Sequence, residues 1–100
     1  MNAEDLVKIP RVLGAGIATE DGFIVESQFK IGHNAERSAA MAAQIVHSIK
    51  RSLHVEKASA ILYTPKSVFF IKESENGIFF VICQKDANLG LVKLKIDKIH

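Results

Sequence analysis

The chain has 100 residues, 48% of them apolar, and a net charge of +2 from 13 basic and 11 acidic residues. That is the size of one domain able to bury about two-thirds of its unfolded surface, so residues 1–100 are read as a single domain. Charges of both signs scattered along the chain exclude the dense basic stripe that a nucleic-acid backbone requires, and no apolar run approaches the ~20 residues of a membrane span.

The single Cys83 lies in an apolar run, so an intramolecular disulfide is impossible and the thiol reads as buried and inert. Met1 is followed by Asn, Ala, Glu and Asp instead of a basic and then apolar leader, and the expected location is the cytoplasm.

In chain order, residues 3–9 suit a short helix, with acids early and Pro10 as a stop. Val12–Thr19 and Phe23–Ser27 read as strands joined at Asp21-Gly22, a type I′ hairpin signal. Gly14 and Gly16 fall on one face of the first strand, where missing side chains admit a neighbouring group. A phosphate loop is the sharper reading of Gly-Ala-Gly, but no third glycine, Lys-Ser/Thr pair or helix start follows.

Asn34 is a candidate N-cap for a long helix from Ala35 to Leu53. Ala35, Ala39, Ala42, Val46, Ile49 and Leu53 form one stripe, expected to face the sheet. Met41, Ala43 and Ile45 widen it to roughly 200° of the wheel, about twice what an ordinary surface helix needs. Five alanines allow close approach of another backbone, while Arg37, Gln44, His47 and Arg51 mark the side left for water. Such a helix requires a second partner besides its own sheet.

Residues 58–64 and 67–72 return to a period of two around Pro65-Lys66, and Asn76-Gly77 turns the chain into Ile78–Cys83, apolar on both faces as in a strand covered by helices on both sides. The tail alternates like a strand in Val92, Leu94 and Ile96. Its longer pattern, Leu89, Val92, Ile96 and Ile99 behind the N-cap candidate Asn88, is helical. The element order α-β-β-α-β-β-β-α gives an α+β fold: a five-stranded antiparallel sheet with helices on both faces, three layers in all.

Chemistry is sparse. His33, His47, His54 and His100 lack partners at metal-ligand spacing, and Ser38, Ser48 and Ser52 sit on a helix without an activating base. Glu73 and Glu75 flank a hairpin tip, where acids are usually just solvated. Lys85, Lys93, Lys95 and Lys98 read as the wet face of an amphipathic helix, and Tyr63 and the six phenylalanines as core rather than as stacking platforms. No catalytic residue, metal or cofactor site is expected, and the chain is not read as an enzyme.

The run Val12-Leu13-Gly14-Ala15-Gly16-Ile17-Ala18-Thr19-Glu20-Asp21-Gly22-Phe23, then an Ala-rich helix, then Asp86-Ala87-Asn88-Leu89-Gly90-Leu91-Val92 resembles the roadblock / dynein-light-chain family over nearly the whole chain. The resemblance implies a profilin-like fold that works as a homodimer, with long helices side by side and third strands paired edge to edge. It also implies a non-catalytic scaffold or regulator of a small Ras-like GTPase; some members are adaptors on dynein intermediate chains, and one bacterial member stimulates GTP hydrolysis by its partner. Met41, Ile45, Ser48 and Ser52, within about 60° on the wheel, are placed against the mate's helix, and Ser59, Ile61 and Tyr63 near the strand seam. A second reading, a small-ligand-sensing module of the same fold, rests on the room that Gly14 and Gly16 leave beside the sheet.

Overall fold

A computed structural model describes residues 3–30 and 34–99. Its elements are α1 (Ala3–Val7), β1 (Val12–Ala18), β2 (Ile24–Phe29), α2 (Ala35–Leu53), β3 (Ser59–Tyr63), β4 (Ser67–Ser74), β5 (Gly77–Gln84) and α3 (Leu89–Asp97). The five strands form one antiparallel sheet in the order β2-β1-β5-β4-β3. The expected fold class and element order are present.

Two cores lie on the two faces of the sheet. On one, α2 lays Ala39, Ala42, Ala43 and Val46 against Ala18, Phe69, Ile71, Ile78 and Phe80. On the other, Ala3 and Leu6 of α1 and Val92 and Ile96 of α3 pack with Val12, Ala15, Val68, Phe70, Phe79 and Val81. The central strands β4 and β5 are therefore buried on both faces, which is why both read as near-continuous apolar runs.

Helix α2 forms because its sequence is rich in good helix formers and capped at both ends. The Asn34 side chain accepts a hydrogen bond from the Arg37 amide at 2.9 Å, and His54 closes the last turn in the left-handed conformation, its amide donating to Lys50 O. The buried stripe is rotated from the expected one. Ser38 and Ala43 face the sheet, whereas Leu53 is 66% exposed. Ser38 tolerates burial because its hydroxyl donates to Asn34 O at 3.0 Å.

Gly14 and Gly16 serve packing. A Cβ on Gly14 would lie 2.4 Å from the Phe29 ring, and one on Gly16 would lie 2.6 Å from Phe80 and 2.9 Å from Glu26 O. The two rings, with centroids 6.0 Å apart, occupy the space that the glycines leave. Phe80 is fully buried, with Phe69 6.4 Å away on its other side, so truncating it would cost about 3–5 kcal/mol.

Two local expectations are corrected. The first hairpin is not type I′, because only Gly22 has a positive φ; the turn is closed by the Gly22 amide on Thr19 O. Phe23 precedes β2 instead of starting it and is 71% exposed, so it is not a core phenylalanine. Val25 is an extra residue in the ladder, since Ile17 pairs with Glu26 and Ala18 with Ile24.

Candidate functional site

The sheet has two edges, and they differ in how well they are protected. Strand β2 carries the bulge at Val25 and the charge of Glu26, whose carboxylate accepts a hydrogen bond from the Ala3 amide. Bulges and charges are the usual defences of an edge against further pairing. Strand β3, Ser-Ala-Ile-Leu-Tyr, has no charge, proline or register break.

No side chain of β3 joins either core cluster. Ile61, Leu62 and Tyr63 are all exposed, Tyr63 by 72%. The cause is the position of α2, which packs mainly on β1, β2, β5 and β4. An open groove of about 740 Å³ results between the helix and the edge strand, lined by Gln44, Ile45, Ser48, Ile49, Ala60 and Leu62, with His47 and Arg51 at its rim. Met41, Leu53 and Val55 add further exposed apolar surface along and beyond the helix.

Ile45 and Ser48 line the groove, while Met41 and Ser52 are exposed elsewhere on α2. Ser59, Ile61 and Tyr63 lie on the exposed edge strand, but their side chains take the other face. Cross-strand partners share a face, and Ile61 pairs with Phe70 and Tyr63 with Val68, both in the core under α1 and α3. The β3 residues facing α2 are Ala60 and Leu62, paired with Ile71 and Phe69. The sequence does not settle this phase, because a five-residue strand with neither face buried shows no contrast between its two sets of side chains.

The connection into β3 is held by Glu73. Its carboxylate accepts from Lys50 Nζ at 2.8 Å and from the Ala58 amide at 3.2 Å, and its own amide donates to Ala58 O. The Glu73 hydrogen bond raises the Lys50 pKa above its ordinary value. Glu73 thus has a structural partner, unlike the solvated hairpin acid that the sequence suggests, and only Glu75 keeps that description.

His47 bonds Glu20 O at 2.9 Å, tying α2 to the first hairpin, and His54 is the helix cap; His33 and His100 lie outside the described residues. Among the described residues no three His, Cys, Asp or Glu side chains are grouped to hold a metal ion. The Cys83 Sγ donates to Val68 O, and burial pushes the thiol pKa up to about 11. No described helix is long and apolar enough to cross a membrane. What the surface offers is a shape for association.

No family model matches the chain, and no curated protein matches it in sequence. Solved structures match it in fold. A Roadblock/LC7 domain from Streptomyces avermitilis superposes with a TM-score of 0.79 at 14% identity, over 93% of this chain and 83% of that one. The gliding protein MglB from Thermus thermophilus gives 0.80 at 13% identity, over 96% and 78%. A second Roadblock/LC7 domain structure from Streptomyces avermitilis gives 0.67 at 25% identity, over 93% and 85%. The chain has the Roadblock/LC7 fold.

Proposed function

We propose that this Roadblock/LC7-fold chain is a non-catalytic homodimeric module that binds or modulates a small Ras-like GTPase. The observation that carries the reading is the pairing of an uncharged, unpaired β3 edge with the open apolar groove beside α2. A two-fold mate that adds its own β3 to this edge would satisfy the free backbone groups and bring the two α2 helices together over the groove. Met41, Ile45, Ser48 and Ser52 then meet the mate's helix, with Ile49 and Leu62 beneath, and Ser59, Ile61 and Tyr63 border the seam on the other face.

An edge-to-edge dimer of this kind builds one rigid, continuous platform from the two sheets, and scaffolding requires rigidity more than chemistry. The GTPase part of the reading draws on the resemblance of Val12–Phe23 and Asp86–Val92 to the roadblock family and on the shared fold. The ligand-sensing alternative loses its footing, because Phe29 and Phe80 fill the space beside Gly14 and Gly16.

The test is a titration of each small GTPase of the same genome, loaded with GTP and with GDP, against the protein. Saturable binding of one GTPase, abolished by Met41→Asp with Ile45→Asp, is expected. Failure of every GTPase in both nucleotide states would remove the regulator reading.

A further inference from the structure

The sheet face opposite α2 is incompletely covered, and the gap has its own chemistry. Here the covering helices are short, five residues in α1 and nine in α3, against nineteen in α2. Between α3 and β3 an open groove of about 400 Å³ is floored by Ile61 and Phe70 and walled by Ile96. Tyr63 extends the apolar floor along the same face.

At the side of this floor is a cation with no carboxylate partner among the described residues. Lys72, half-buried on β4, reaches only the carbonyls of Ile96 and Asp97, both at 3.4 Å, and among the described residues no carboxylate lies within ion-pair distance of it. The one acid lining the groove, Asp97, is already neutralised by Lys93 at 2.7 Å. The groove is therefore apolar along its floor and carries at its wall an ammonium that, among the described residues, meets only the terminal carbonyls of α3.

We propose that the groove between β3 and α3 docks an acidic amphipathic helix of a partner protein. A carboxylate of that helix meets Lys72, and its apolar side chains meet Ile61, Phe70 and Ile96. A helix fits because the layer lacks one beside α3, and a sheet face is stably covered by an element of matching apolar stripe. A small carboxylate fits less well, since it would meet Lys72 but leave the apolar floor from Phe70 to Tyr63 uncovered. The site lies on the face away from α2, beside the β3 seam of the proposed dimer, and it does not rest on GTPase binding.

The probe is a capped helical peptide with leucines along one face and glutamates flanking them, titrated into the isotope-labelled protein. Saturable shifts at Ile61, Phe70, Lys72 and Ile96, with Gln44 on α2 unmoved, are expected. Lys72→Glu should weaken binding at least about tenfold, Lys72→Met should also weaken it, and a lysine-for-glutamate version of the peptide should bind at least about tenfold more weakly. Unchanged thermal unfolding of Lys72→Met keeps the result readable if Lys72→Glu is unstable. No saturation, shifts centred on α2, equal binding of the lysine peptide, or the same shifts from octanoate or anionic vesicles in place of the peptide would each overturn the proposal.

Discussion

Lys50 of α2 and Glu73 of β4 form an ion pair at 2.8 Å whose carboxylate also holds the Ala58 amide, so a single side chain fixes the end of the long helix and the start of the edge strand. The Glu73 side chain is only 8% exposed. Removing it leaves a backbone donor unpaired, and Glu73→Ala is expected to cost about 1–3 kcal/mol in urea unfolding. Glu73→Gln keeps an acceptor for Ala58 and should cost less. Equal losses would show that the ion pair, not the backbone bond, anchors β3.

The two glycines of β1 should respond differently to repair. Gly14→Ala and Gly16→Ala are each expected to destabilise by about 1–3 kcal/mol through overpacking. The obstruction at Gly14 is the Phe29 ring, so Phe29→Val should recover part of the loss in the double variant. At Gly16 the backbone oxygen of Glu26 also stands in the way, and no such recovery is expected with Phe29→Val. The measurement is a double-mutant cycle by thermal unfolding.

His54 caps α2 with φ of 54°, a left-handed position that favours glycine. His54→Gly should raise stability by about 0.5–1 kcal/mol, because the unstrained cap outweighs the entropy glycine loses on folding. A drop in stability in denaturant titration would mean that the imidazole makes an essential contact.

Alkaline pH should loosen the fold. The Cys83 thiol ionises at 9.0 when free but at about 11 in the fold, so the unfolded chain gains relative to the native one between those values. The raised Lys50 pKa acts in the same direction: its contribution is complete below 10.5 and fades as pH rises further. The melting temperature should fall above about pH 9, less steeply in Cys83→Val. At about pH 8 the thiol should resist aromatic disulfide reagents until urea is added.

Strong local signals made much of this fold readable. The limits of α2 follow from Asn34 and from the alanine-rich run, and the edge position of β3 from the long crossover that precedes it. Other features depend on tertiary pairing. The face taken by Leu62 is set by its partner Phe69 in β4, and Ser38 is buried because its hydroxyl finds Asn34 O. Phe23 looks like a strand residue by composition, yet the turn that closes on Thr19 leaves it outside the ladder. The candidate site was visible as excess apolar arc on α2, but the set Ser59, Ile61 and Tyr63 lies across the sheet from it. That separation could be seen only once the β3–β4 register was known.

The β3 edge and the α2 groove are expected to meet a second copy of the chain, and light scattering coupled to size exclusion at micromolar concentration reads this as a mass. Twice the 11.0 kDa mass of one chain is expected, falling to a single chain in Ile45→Asp with Leu62→Asp while circular dichroism stays unchanged. A wild-type mass of 11.0 kDa, or a doubled mass that both substitutions leave intact, would contradict it.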